Sequence, residues 1–258
     1  MSIIEKTFNN LKKQGRKAFI PYIMAGDPSL EKTKELIKVL EECGADIIEL
    51  GVPFTDPLAD GPVIQRASER ALAKGVTLRD VIRLVKDIRA VTKIPIVLMT
   101  YYNPIFAYKE EAFVRDAVSS QIDGIIVPDL PPDEAHDLIR LSRKKGIDII
   151  FMLAPTSTAE RVKKVAKLSR GFIYYVSLTG ITGARLLVDT ALSEAIMAIR
   201  RLTEMPICVG FGVASPEEAK VLSDVADGII VGSAIVRRLD EPEEELKRFL
   251  RGLRDATQ

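Results

Sequence analysis

Eight short runs of apolar, mostly β-branched residues recur along the chain. They are Phe19 to Met24, Asp46 to Leu50, Ile96 to Met99, Gly124 to Val127, Ile149 to Leu153, Phe172 to Val176, Ile207 to Gly210 and Gly228 to Val231. Nearly unbroken apolar character marks strands covered on both faces, as in parallel sheets. Amphipathic stretches lie between them. In Leu30 to Cys43, for instance, Leu36, Ile37 and Leu40 share one helical face while Lys34, Lys38 and Glu41 fall off it. Ser215-Pro216-Glu217-Glu218 supplies an N-cap, a proline at the first helical position and early acids, and Gly44, Gly75 and Gly146 suit helix ends. Strands alternating with helices over 258 residues predict an α/β fold, a single (β/α)8 barrel domain spanning residues 1–258. A doubly wound open sheet competes, but it usually carries a glycine-rich turn after its first strand, where this chain reads Ala25-Gly26-Asp27-Pro28. Met1 to Lys13 predicts an extra helix that closes the barrel bottom.

One connection departs from the one-strand, one-helix rhythm. Between the second and third runs lie the segment Gly51 to Pro62, a helix to about Ala73 and another from Leu78 to Ala90. A long, proline-rich loop leaving the C-terminal end of a barrel strand is where such folds keep their chemistry.

Composition narrows the function. Lys+Arg 37 against Asp+Glu 36 gives a net charge of +1, so no global field favours nucleic acid or an anionic membrane. No apolar run approaches the ~18 residues of a membrane span, and the first residues contain no secretory core. Two cysteines, Cys43 and Cys208, make no disulfide framework, and a reducing cytoplasm is the expected setting. A single histidine, His136, on the polar side of a helix, disfavours a histidine-rich metal site and Ser-His-Asp or Cys-His chemistry. No metal is expected.

Glu49 is the leading candidate for chemistry. Alternation along Asp46 to Gly51 puts Ile47, Glu49 and Gly51 on one face and Ile48 and Leu50 on the other. If the Ile48/Leu50 face packs on helices, Glu49 points into the barrel, and none of the eight runs offers a Lys or Arg to pair with it. An unpaired buried carboxyl stays protonated with a raised pKa. Asp56 and Asp60 in the long loop, beside Pro57 and Gly61, read equally as turn-formers. Asp129, after the fourth strand, reads equally as an N-cap for the next helix. Gly180 and Gly183, Gly210 and Gly212, and Gly232-Ser233 follow the last three strands. There, glycine lets backbone N–H groups approach a phosphate. Tyr22, Tyr101, Tyr102, Phe151, Leu153, Tyr174, Tyr175 and Phe211 lie near strand ends, and alternation lets about half of them wall a pocket for a flat apolar ring.

These residues also carry a resemblance. Glu49-Leu-Gly-Val-Pro-Phe-Thr-Asp-Pro-Leu-Ala-Asp-Gly-Pro62 closely resembles the signature segment of the tryptophan synthase alpha subunit family. Phe19 to Pro28, Met99 to Pro104, Val127 to Pro131, Ser177 to Gly183 and Gly210 to Gly212 match further family blocks in the family's order, over essentially the whole chain. The resemblance implies a lyase performing reversible retro-aldol cleavage of indole-3-glycerol phosphate into indole and glyceraldehyde 3-phosphate. It implies Glu49 as the proton-transfer residue, Asp60 as acceptor from the indole N–H, and Thr182 as a loop-closing contact to Asp60. It further implies phosphate binding by Gly183, Gly212, Gly232 and Ser233, and an indole pocket of Tyr22, Thr100, Tyr102, Leu153, Tyr174 and Phe211. The implied partner is a pyridoxal-phosphate-dependent beta subunit in an α2β2 assembly, docking on Asp56, Pro57, Asp129 and Pro131, with no cofactor on this chain. A phosphosugar isomerase or epimerase on a related barrel would share the phosphate glycines but not explain Glu49 with the Asp56/Asp60 loop. A non-catalytic regulator of the partner would not need both acids.

Overall fold

The computed structural model describes residues 1–176, 190–210 and 212–258, excepting the side chains of residues 190 and 191. Among the described residues nine parallel strands form one sheet. They are β1 (Ala18–Met24), β2 (Ile48–Gly51), β3 (Ile96–Met99), β4 (Gly124–Ile126), β5 (Asp148–Ile150), β6 (Met152–Leu153), β7 (Ile173–Val176), β8 (Ile207–Gly210) and β9 (Gly228–Val231). The order is β5-β4-β3-β2-β1-β9-β8-β7-β6. Its two edges, β5 and β6, are consecutive pieces of one segment interrupted at Phe151: the first half pairs with β4 and the second with β7. That segment closes the sheet on itself, giving the eight-position barrel that the apolar runs predict. The open-sheet alternative is excluded.

The helices are α1 (Ile3–Lys13), α2 (Leu30–Glu42), α3 (Pro62–Leu72), α4 (Leu78–Ile88), α5 (Tyr102–Tyr108), α6 (Glu110–Ser119), α7 (His136–Lys145), α8 (Ala159–Leu168), α9 (Thr190–Arg200), α10 (Pro216–Ser223), α11 (Ser233–Val236) and α12 (Glu243–Asp255). The expected start and stop signals act as read. The Ser215 hydroxyl accepts from Glu218 N–H with Pro216 at the first helical position, and Gly44, Gly75 and Gly146 adopt positive φ. The extended β2 connection holds α3 and α4, as expected.

The α1 helix closes the N-terminal end of the barrel. Its Ser2–Glu5 capping box fixes the helix start, Ile4 fills the space over Gly124 and Gly171, and Phe8 packs on Phe172 with ring centroids 5.8 Å apart. Around the same end three aspartates repeat one device. Asp46, Asp123 and Asp227 each stand just before a strand or within two residues of it, and each accepts, at 2.9 Å, the N–H of a residue on a neighbouring strand: Phe19, Ile96 and Ile207 respectively. Each also meets an arginine, Arg254, Arg89 and Arg200 in turn. A carboxylate so placed ties two strands and a helix end together, which leaves the opposite rim free for other duties.

Arg89 is the most enclosed test of this device outside the C-terminal helix, holding Asp123 at 2.6 Å and the carbonyls of Ile94 and Gln121. Removing one partner of a buried pair leaves the other uncompensated. Arg89→Ala is expected to lower unfolding stability by about 3 kcal/mol in urea titrations at neutral pH; a loss under about 1 kcal/mol would show that the device contributes little.

Candidate active site

Glu49 is the second residue of β2, in register with Tyr22 of β1 and Val97 of β3. Residues in register on parallel strands share a face, so Tyr22, Glu49 and Val97 make one rung of the barrel interior, as alternation predicts for Glu49. Glu49 is 1% exposed, and its Oε2 has no hydrogen-bond partner among the described residues. Loss of hydration, and secondarily the charge of Asp60, raises its pKa to about 8.

Asp60 reaches the same place from the loop between β2 and α3. Partial burial raises its pKa to about 6, while a hydrogen bond from the Tyr101 hydroxyl holds it back. The same Tyr101 oxygen accepts the Ala59 N–H at 2.9 Å, and the ring stacks on Phe54 with centroids 5.1 Å apart. Loop geometry is fixed from the other side by α3. The Gln65 amide donates to the Asp60 carbonyl at 2.9 Å, and the buried Ser68 hydroxyl both accepts from Phe54 N–H and donates to Phe54 C=O. The two acids therefore separate at neutral pH: Glu49 protonated, Asp60 ionised. Environments that push two carboxyls apart in this way define an acid and a charge stabiliser.

Two buried tyrosines flank the pair. Tyr22 and Tyr174 both have pKa values raised well above the usual, first by burial and then by the nearby Glu49 and Asp60. Each phenol leans toward the rim into a notch where the neighbouring strand has glycine: a Cβ on Gly51 would collide with the Tyr22 oxygen, and one on Gly210 with that of Tyr174.

Three expected pocket residues need correction. Tyr102 is the first residue of α5, and its hydroxyl donates to Glu110 at 3.0 Å; Tyr101 occupies the inner position instead. Continuing the Val97–Met99 face of β3 leads to Tyr101, so alternation could have separated the two tyrosines. Thr100 lies on the other face of that segment, its hydroxyl turned to the Tyr101 carbonyl at 3.3 Å. Leu153 is in register with Tyr175, whereas Met152 is in register with Tyr174 and shares its inward face. Burial alone hides this, because outward strand residues covered by helices are as apolar as inward ones.

Of the expected phosphate residues, Gly212 has φ +85°, and Gly232 and Ser233 open α11 beside Tyr22. Gly183, Thr182 and Phe211 lie outside the described residues. Asp56 and Asp129 are exposed, Pro57 and Pro131 half-buried. Asp129 accepts the Tyr102 N–H at 2.9 Å and so holds the start of α5, which precedes its strand. The following helix, α7, starts from Ala135 with no side-chain cap, and the reading of Asp129 as cap of the next helix is corrected. Cys43 and Cys208 are free and buried, and His136 is exposed.

A (β/α)8 barrel with a protonated acid and an ionised one at its C-terminal mouth has the parts that acid–base chemistry requires. Comparison makes the class specific. The family model described as tryptophan synthase alpha chain matches residues 8–257. The tryptophan synthase alpha chain of Geotalea uraniireducens is 51% identical, covering 98% of this chain and 97% of its own. The crystal structure of tryptophan synthase subunit alpha from Legionella pneumophila is 38% identical with a TM-score of 0.92, covering 100% and 98% of the two chains. A chain from the structure of Mycobacterium tuberculosis tryptophan synthase superimposes with a TM-score of 0.93 at 38% identity, covering 99% and 98%. The chain belongs to the tryptophan synthase alpha chain family, and is thereby a lyase subunit of tryptophan biosynthesis.

The raised Glu49 pKa has a signed consequence for stability. A carboxyl whose folded pKa exceeds its unfolded value contributes fully below the unfolded pKa, and that contribution is lost as pH rises toward and through the folded value of about 8. Glu49→Gln removes the titration. The melting temperature of the variant minus that of the unchanged chain is expected to grow from pH 5 to about pH 8 and to level off above it in calorimetric scans. A difference independent of pH contradicts a protonated Glu49.

Proposed function

We propose that the chain cleaves indole-3-glycerol phosphate reversibly into indole and glyceraldehyde 3-phosphate, with residues 1–258 acting as one catalytic barrel. The observation that carries this reading is the buried Glu49, unpaired among the described residues, beside Asp60 with its lower pKa. Glu49 gives its proton to C3 of the indole ring, and Asp60 accepts a hydrogen bond from the ring N–H as positive charge develops there. The Glu49 carboxylate then takes the proton of the glycerol hydroxyl next to the ring. The carbon–carbon bond breaks, its electron pair returns to the ring, and the aldehyde leaves. Glu49 ends protonated, so the cycle closes without another base. The separation of the two pKa values supports these roles.

Tyr22, Tyr101, Met152 and Tyr174 would border the indole, and backbone amides at Gly212, Gly232 and Ser233 would hold the phosphate, joined by Gly183. Thr182 would close over Asp60. The partner we infer is a tryptophan synthase beta subunit in an α2β2 assembly, which holds the pyridoxal phosphate; this chain needs no cofactor for its half of the chemistry. Docking through Asp56, Pro57, Asp129 and Pro131 is supported by two apolar side chains beside them. Leu58 is 94% exposed next to Pro57, and Phe106 is 65% exposed on α5, whose first N–H Asp129 holds. The cytoplasm is the setting that suits two free cysteines and a phosphorylated substrate.

Indole release from indole-3-glycerol phosphate by the isolated chain tests the reading, and added beta subunit is expected to raise the rate. Glu49→Gln should lower turnover at least about 10²-fold with glycerol 3-phosphate binding kept. Near-normal turnover in that variant would falsify the role of Glu49. Asp60→Asn should also slow turnover strongly, and full activity in Asp60→Ala would remove Asp60 from the mechanism.

A further inference from the structure

Arg70 lies far along α3 from the acid loop, yet it makes a two-point ion pair on this rim. Its Nε and Nη2 each reach one carboxylate oxygen of Asp27 at 2.7 Å. Asp27, in the turn after β1, has a side chain 3% exposed, whereas Arg70 is 52% exposed. The arginine therefore covers a buried carboxylate from the solvent side. Lys74, just past the helix, donates to the Pro28 carbonyl in the same turn.

The buried stripe of α3 is Ile64, Ala67, Ser68 and Ala71. Two of its members are alanines, whose surfaces form shallow ridges and resist rotation about the helix axis poorly. At about 100° per residue, Gln65 and Arg70 project from opposite flanks of this stripe. Polar pins on both flanks thus hold the roll of the helix: Asp27 through Arg70 on one, and the carbonyl of Asp60 through Gln65 on the other. Gly61 provides no side-chain cap at the helix start, so a change of roll passes directly into residues 54–60 through Gln65 and Ser68.

We propose that the Arg70–Asp27 pair sets the rotational position of α3 and, through Gln65 and Ser68, the placement of the Asp60 carboxyl; both are positioning residues for the reaction. The catalytic half of this inference rests on the function proposed above, and the mechanical half does not. An error of about 1 Å in a reacting group is enough to cost orders of magnitude in rate. Lysine keeps the charge over Asp27 but not the two-point geometry.

The test uses Arg70→Lys and Arg70→Ala in the full chain, compared with the unchanged protein for indole release, affinity for sn-glycerol 3-phosphate and amide hydrogen exchange in residues 54–61. Expected are a kcat lower by about 10-fold in Arg70→Lys and further in Arg70→Ala, with KM and probe affinity within about threefold. Exchange of the loop amides, Ala59 included, rises in parallel. Unchanged kcat and unchanged loop exchange in folded Arg70→Lys overturn the proposal. So does an equal fall in kcat and probe affinity, which marks loosening of the whole rim. If Arg70→Ala fails to fold, Arg70→Lys decides alone. If the unchanged chain releases no indole, the proposed function fails, while loop exchange in the variants still decides the mechanical claim.

Discussion

A carboxylic acid enclosed in a barrel, with no cation to meet it among the described residues, is the constraint on which the rest of this structure depends. Ionising Glu49 there would cost several kcal/mol, so the group keeps its proton at a pH where an exposed glutamate has lost it. The barrel tolerates this because its strands are secured elsewhere. The aspartate–arginine pairs and α1 sit at the opposite end, so the rim that carries chemistry need not also carry the closure.

The two acids are held by different means, and the difference suits their tasks. Glu49 stands on a strand ladder paired on both sides, which leaves little freedom in its position. Asp60 stands on a loop, where placement must come from hydrogen bonds: Tyr101 from the β3 side, Gln65 and Ser68 from α3. The proton donor and the acceptor of the proposed reaction are thus placed independently, one by strand pairing and the other by hydrogen bonds.

Much of this is legible in the amino-acid sequence. The apolar runs locate all eight barrel positions, since strands covered on both faces have nowhere to place charge. Glu49 announces itself as the one acid at mid-strand in such a run with no cation to answer it. What escaped depends on register and on loops. Choosing Tyr102 over Tyr101 and Leu153 over Met152 are errors of one residue, and one residue reverses the face of a strand. In both places the resemblance names the neighbourhood, while alternation from Val97, in register with Glu49, and the pairing of Met152 with Tyr174 decide the residue. The grip of Ser68 and Gln65 on the acid loop could not be read at all, because hydrogen bonds between a helix flank and a preceding loop leave no periodic trace. The break at Phe151, which lets one segment serve both edges of the sheet, was hidden inside an apolar run for the same reason.

The central claim is that Glu49 holds its proton at neutral pH, and direct titration of that one carboxyl reaches it. In a chain with 13C-labelled glutamate side chains, the Glu49 resonance, assigned by its absence in a substituted chain, is expected to stay at the protonated position through pH 7 and to shift with a midpoint near pH 8. A midpoint below about pH 5, in the range of solvated glutamates, would contradict the account.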